Sequence, residues 1–200
     1  MRVLARFMLA ASDATHFPRP TLPEIAFLGR SNVGKSSLIN ALVGKKLART
    51  SNTPGRTRSI NFYEVRRAGQ PRPELVFVDL PGYGYAQVSR EVSADWARFV
   101  DPYLLERPTL ALCLAMVDPN IPPQESDSQL LEFLKFQGRP FVIVATKADR
   151  LSGNQLRSAL DRLAEAYGNV PMVPFSAKTG AGKEELWQQI RSSAKQFSAH

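Results

Sequence analysis

The segment Gly29-Arg30-Ser31-Asn32-Val33-Gly34-Lys35-Ser36 constrains this chain more than any other stretch. Two glycines bracket four residues, and a Lys-Ser pair follows at once. A glycine-rich turn of this kind bares its backbone N–H groups, and those groups can ring a phosphate. Lys35 can reach the outer phosphates of a nucleotide, and the Ser36 hydroxyl can meet Mg2+. The flanks agree with that chemistry. Residues 24–28 read as a short apolar strand and residues 35–43 as a helix. The anion would then sit at a helix N-terminus, where the dipole favours it. Gly29, Arg30, Ser31, Asn32, Val33, Gly34, Lys35, Ser36 and Ser37 are the first candidate binding residues.

The chain has 200 residues, the size of one domain. Residues 24–197 are expected to form that domain, with residues 1–23 as an arm packed on it. A net charge of +8 and a pI near 9.9 point to an anionic partner, nucleic acid or a membrane surface. The single cysteine, Cys113, excludes an internal disulfide framework and fits a reducing compartment. It lies in the apolar run 110–117 and reads as a buried small hydrophobe. That run is too short to cross a bilayer. Residues 1–11 are apolar but broken by Arg6, with no clear cleavage site, so they do not read as a signal peptide. No basic amphipathic helix or lipidation signal stands out. The expectation is a cytoplasmic monomer with no membrane role.

Strand-like segments at 24–28, 59–65, 74–79, 110–117, 141–145 and 172–175 alternate with helical patterns at 35–43, 94–105, 126–136, 154–167 and 183–196. Ser152 with Gln155 resembles a capping box. Leu186, Trp187 and Ile190 give the last helix an apolar face. This alternation predicts an α/β fold: a mixed, mostly parallel six-stranded sheet with helices on both faces. Ligands bind such sheets beyond the C-terminal strand ends, and the motifs fall there. Residues 44–58 and 81–93 are candidate mobile loops.

Asp79-Leu80-Pro81-Gly82 directly follows one of those strands. The Asp79 carboxylate can hold Mg2+ through water, and Gly82 has no side chain to keep its N–H from a γ-phosphate. Thr57, in Pro54-Gly55-Arg56-Thr57, has a hydroxyl that can close over Mg2+ when a γ-phosphate is present, an order–disorder switch. Thr53 is a rival on the residues alone. Thr146-Lys147-Ala148-Asp149 follows the strand at 141–145. Asp149 can accept from both N1–H and the 2-amino group of guanine. Adenine has an acceptor at N1 and no 2-amino group, so it would leave the carboxylate unpaired and be rejected. The stem of Lys147 can lie over the base. Phe175-Ser176-Ala177-Lys178 closes the last strand, where the Ala177 N–H can reach the guanine O6. The order of these motifs, each after a successive strand, points to GTP and GDP as ligands.

With these residues in view, the chain resembles the P-loop NTPases of Ras-like fold. It is similar in particular to the EngB (YihA/YsxC) family of bacterial ribosome-assembly GTPases, in the TrmE-Era-EngA-EngB group. The resemblance is carried by residues 29–40, 53–57 with 60–63, 79–86, 145–149 and 175–178, and it spans nearly the whole chain. The continuation Tyr83-Gly84-Tyr85-Ala86 is the part specific to that family. The resemblance implies hydrolysis of GTP to GDP and phosphate, action in large ribosomal subunit assembly, and a need in normal cell division and septation. It implies Mg2+ held by Ser36, Thr57 and Asp79, which selects Thr57 over Thr53. It adds Gly55, Arg56, Thr57, Arg58 and Ser59, with Asp79, Leu80, Pro81 and Gly82, to the nucleotide contacts. Lys35, Thr57 and Gly82 are the implied catalytic set. Thr146, Lys147, Ala148 and Asp149 with Phe175, Ser176, Ala177 and Lys178 are the implied base contacts. A second reading of the same switch is direct recruitment of division proteins, with no RNA target.

The chain departs from wider GTPase patterns at Thr146 and Tyr83. Many GTPases carry Asn at the first position; Thr keeps a hydroxyl without the planar amide, which points to moderate nucleotide affinity. Tyr83 stands where others place the glutamine that positions the attacking water, which predicts slow intrinsic hydrolysis. A K+ ion held by Asn32, or Arg56 or Arg58 acting in cis, could supply the missing charge; for the two arginines, surface charge for a partner is the plainer reading. Between residues 45 and 72 lie Lys45, Lys46, Arg49, Arg56, Arg58, Arg66, Arg67 and Arg72, against Glu64 alone. That region is a candidate surface for large-subunit RNA, recognised by phosphates and shape. Phe62 reads as core, whereas Tyr83 and Tyr85 are candidates to stack on exposed bases.

Overall fold

The computed structural model describes residues 2–48, 59–83 and 100–198. Its strands are β1 (Val3–Ala11), β2 (Glu24–Gly29), β3 (Ile60–Arg67), β4 (Leu75–Asp79), β5 (Leu110–Val117), β6 (Phe141–Ala145) and β7 (Met172–Pro174). The described helices are α1 (Lys35–Val43), α2 (Asp101–Glu106), α3 (Glu125–Phe136), α4 (Gly153–Tyr167) and α5 (Lys183–Ser198). One sheet takes the order β1-β3-β4-β2-β5-β6-β7. β4, β2, β5, β6 and β7 run parallel, while β3 and β1 add an antiparallel edge.

The sheet therefore has seven strands, not the expected six. The additional strand is formed by residues 3–11, which pair with β3 from Val3↔Arg67 to Ala11↔Ile60. A register shift between Phe7 and Leu9 interrupts their alternation. A bulge of this kind breaks the period of two by which a strand is recognised. β2, β4 and β5 are buried along their whole length. Strands covered on both faces read as continuous apolar runs, which is why these three were legible.

The helices bury two apolar layers, one on each face of the sheet. Leu38, Ile39 and Leu42 of α1 join Leu186, Trp187 and Ile190 of α5 over Phe27 and Phe77. Trp187 stacks on Phe77 with ring centroids 5.7 Å apart, and its indole N–H donates to the Leu42 carbonyl at 3.3 Å. On the other face Tyr103, Leu131, Leu134 and Leu163 cover Leu28, Phe62, Val78 and Cys113. Phe62 and Cys113 are thus core residues, and burial pushes the Cys113 thiol up to about 12. The capping box opens α4: the Ser152 hydroxyl accepts from the Gln155 N–H and the Gln155 side chain accepts from the Ser152 N–H. Of the expected helix at 94–105, residues 94–99 lie outside the described residues, and α2 accounts for the remainder.

The parallel strands bring Gly29, Asp79, Val117, Ala145 and Pro174 to one end of the sheet. Arg66 and Arg67 lie at the opposite end, since β3 runs antiparallel and pairs Asn61 with Asp79 but Val65 with Leu75. Arg67 is engaged there with Glu74 at 2.8 Å, and Arg66 donates to the Gln70 carbonyl at 2.6 Å. Lys45 and Lys46 are exposed past the C-terminus of α1, about 13 Å along the helix from the phosphate-loop end. Lys45, Lys46, Arg66 and Arg67 therefore lie away from the C-terminal strand ends. Arg49, Arg56 and Arg58 lie outside the described residues.

Candidate functional site

The loop at 29–36 is shaped by its glycines and by two neighbouring loops. Gly34 caps α1 with φ 111°, a conformation that side chains disfavour. Asn32 also has positive φ, at 64°. The Thr146 hydroxyl lies 2.6 Å from the Val33 carbonyl and 3.1 Å from the Val117 carbonyl and shares its hydrogen between them. Thr146 thus ties the loop after β6 to the loop after β2. Lys147, at φ 55°, donates from Nζ to the Asn32 carbonyl at 2.9 Å and to Asp118 Oδ2 at 2.8 Å. Burial of Asp118 favours the neutral acid, but hydrogen bonds from Lys147 and Asn120 outweigh it and hold the carboxyl below its ordinary range.

A cavity of about 630 Å3 opens between these loops, lined among others by Gly34, Thr146, Lys147, Asp149, Ala177 and Lys178. The Ser176 hydroxyl donates to Asp149 Oδ1 at 2.6 Å while accepting from the N–H groups of Lys178 and Thr179. That bond lowers the Asp149 carboxyl below its usual value, so an oriented anion faces the cavity. Phe175 is buried and works through its backbone: its N–H donates to Ala145 and its carbonyl accepts from Ala148. The loops after β6 and β7 are thereby held together.

At the other end of the loop, Lys35 Nζ lies 3.0 Å from Asp79 Oδ1. Their side chains are only 14% and 7% exposed. The ammonium balances the charge, but Asp79 Oδ1 accepts no hydrogen bond among the described residues. A buried carboxylate oxygen without a donor is costly. A hydrated Mg2+ would satisfy it, so this donor set, with the half-buried Ser36 hydroxyl nearby in sequence, fits the ion. The Thr57 hydroxyl, with Gly55, Arg56 and Arg58, lies outside the described residues; Ser59 is half-buried just before β3.

Gly82 packs so closely on the phosphate loop that a Cβ there would meet Ser31 Oγ at 2.9 Å and Ser31 N at 3.0 Å. The Ser31 N–H donates to the Tyr83 carbonyl at 3.1 Å, and Arg30 bridges Tyr83 in a parallel pair. The Ser31 N–H is therefore committed to the protein. Tyr83 turns its phenol inward, donating to Asp127 Oδ1 at 3.0 Å, with its pKa pushed well up by burial and by Asp127. It does not present a ring for base stacking. Tyr85 lies outside the described residues.

Asp118, Asp127 and Tyr167 stand outside every motif named above, and Asn40 was named only as the end of the motif at 29–40. Asn40 accepts from the N–H groups of Leu47 and Ala48 and donates to the Ala48 carbonyl, fixing the chain that leaves α1. Asp118 had a usable signal, since it follows β5 at the same end of the sheet as Gly29 and Asp79. Among the described residues no helix is long and apolar enough to cross a membrane.

Known proteins share both this sequence and this fold. The family described as 50S ribosome-binding GTPase matches residues 24–147. A "Probable GTP-binding protein EngB" of Koribacter versatilis is 61% identical over 194 residues, covering 97% of this chain and 96% of the relative. The protein of the same name in Acidobacterium capsulatum is 56% identical, covering 97% and 92%. Among solved structures, a probable GTP-binding protein engB superposes with a TM-score of 0.68 at 25% identity, over 86% of this chain and 99% of that one. Era in complex with MgGDPNP and a segment of 16S ribosomal RNA gives a TM-score of 0.68 at 26% identity, over 84% of this chain and 55% of Era. A phosphate loop tied to a guanine-type pocket, on this sheet and with these relatives, places the chain in the EngB family of GTP-binding proteins, among the 50S ribosome-binding GTPases.

Proposed function

We propose that the chain binds GTP and GDP in this cleft, hydrolyses GTP slowly, and acts as a nucleotide-dependent switch in large ribosomal subunit assembly, as a cytoplasmic monomer. The observation that carries this reading is the Asp149–Ser176 pair, which aims a fixed carboxylate into the cavity lined by Gly34 of the phosphate loop. Asp149 would take N1–H and the 2-amino group of guanine, and the Ala177 N–H its O6. Lys35 would exchange Asp79 for the outer phosphates, and the Gly82 N–H would meet the γ-phosphate. Ser36, Thr57 and Asp79 would hold Mg2+, which would neutralise charge on the outer phosphates. The Tyr83 phenol, committed to Asp127, cannot position water in this conformation, which supports slow turnover.

The partner surface we infer is the end of the sheet opposite the nucleotide cleft, where Lys45, Lys46 and Arg72 stand exposed. Era, a structural relative, has been solved in complex with MgGDPNP and a segment of 16S ribosomal RNA. Binding to purified large subunits, loaded with a non-hydrolysable GTP analogue, is expected to weaken steeply with salt and to be competed by free ribosomal RNA. The double variant Lys45→Glu, Lys46→Glu is expected to lower the salt slope by roughly 1 per lost phosphate contact. Binding indifferent to salt and to free RNA would overturn this surface. It would favour the rival reading, recruitment of division proteins without an RNA target; on the reading preferred here, a division defect follows from ribosome shortage.

A further inference from the structure

Behind Gly82 lies a buried polar cluster that the nucleotide contacts do not use. Asp127, in the first turn of α3, is 3% exposed. Its Oδ1 accepts from the Tyr83 phenol at 3.0 Å, and its Oδ2 lies 3.5 Å from the Tyr167 hydroxyl. Tyr167, at the end of α4, accepts in turn from the Gln124 N–H at 2.9 Å. The Arg30 guanidinium acts electrostatically on Asp127, Tyr83 and Tyr167, and its Nε is buried without a hydrogen bond among the described residues. Tyr83 is thus held at both ends: its carbonyl by the Ser31 N–H, its phenol by Asp127. Gly82 is the residue next to it, already packed on Ser31.

We propose that Asp127 is a positioning residue for the γ-phosphate contact: through the Tyr83 phenol it pins Gly82 against the phosphate loop, so that the Gly82 N–H is in place before a triphosphate arrives. Pre-organisation of this kind spares the ligand the cost of ordering a loop. It acts more on the triphosphate than on the diphosphate, because Gly34, Lys35 and Ser36, which would grip the diphosphate, lie further along the loop than Arg30 and Ser31, which meet Tyr83. The inference rests on the GTP-binding reading above. It also gives Tyr83 a role at the position where other GTPases keep a catalytic glutamine: the phenol points to α3 and is bonded to Asp127.

Affinities for GDP and for a non-hydrolysable GTP analogue, measured calorimetrically with Mg2+, test this in the wild type, Tyr83→Phe, Asp127→Ala and the double variant. The ratio of analogue affinity to GDP affinity is expected to fall roughly five- to tenfold in each single variant, the scale of one hydrogen bond. The double variant is expected to lose no more than either single one, because both act through the same bond. Tyr83→Phe keeps Asp127 facing Arg30 and so guards against a folding defect in Asp127→Ala. Equal losses for both nucleotides, no loss at all, or additive losses would each overturn the proposal. A wild type that binds neither nucleotide would instead overturn the GTP-binding reading on which it stands.

Discussion

Replacing Asp149 by Asn is expected to weaken guanine nucleotides by at least about a hundredfold and to make xanthine nucleotides the preferred ligands. The side chain is exposed to the cavity and hydrogen-bonded to Ser176 through Oδ1, and the amide oxygen can keep that bond. The fold therefore survives the change and the readout is specific. The amide loses an acceptor and gains a donor. It clashes with the guanine N1–H and 2-amino donors, while it can donate to the additional carbonyl of xanthine. The wild-type pH profile follows from the same bond. The Ser176 hydroxyl holds the Asp149 carboxyl below its ordinary range. The anion is thus fully present above that ordinary value, and guanine affinity falls only as the pH drops through the lowered one. Competition binding with GDP, XDP and ADP measures the change; a variant that still prefers GDP would undo the base assignment.

The second large effect is on stability. Arg107→Met is expected to cost about 3–5 kcal/mol, because it leaves a buried carboxylate without its cation. Glu24 is 1% exposed and Arg107 6% exposed. Arg107 donates to both Glu24 oxygens, with Nη2 to Oε1 at 2.6 Å, and reaches the Pro18 carbonyl at 2.8 Å. Tyr103 and Thr109 complete the carboxylate with hydroxyl donors, each at 2.9 Å. Phe17 and Phe62 place their rings 5.8 Å from the guanidinium. The cluster fastens the start of β2, and the segment before it, to the turn between α2 and β5. For a chain of this length the loss amounts to roughly 10 °C in Tm. The double variant Glu24→Gln, Arg107→Met is expected to recover a large part, since no buried charge is then stranded. Thermal unfolding curves of the two variants check this; an Arg107→Met melting within a degree or two of the wild type would contradict it.

The sequence made the parallel part of the sheet legible because its strands are covered on both faces, so that 110–117 and 141–145 read as plain apolar runs. The helices α1, α3, α4 and α5 were legible within two residues, since each carries a cap or an apolar stripe tied to the helical period. β1 was not, because its bulge breaks the alternation and one face is exposed. In the site, Asp149, Lys147 and Ser176 could be placed from motif order alone, because each closes a strand at the same end of the sheet. The Asp127–Tyr83–Tyr167 cluster and the Glu24–Arg107 pair could not. Their partners stand 40 to 83 residues apart in sequence, and nothing local to any of them announces the contact. The same distance explains why Tyr83 looked available for base stacking before its phenol was seen to turn inward.

The central claim is that the triphosphate form of this site governs engagement with the large ribosomal subunit. Co-sedimentation of the purified protein with large subunits, loaded with GDP in one arm and a non-hydrolysable GTP analogue in the other, tests it most directly. The account predicts that the protein pellets with subunits in the analogue arm and stays in the supernatant with GDP. Equal pelleting in both arms, or none in either, would contradict it.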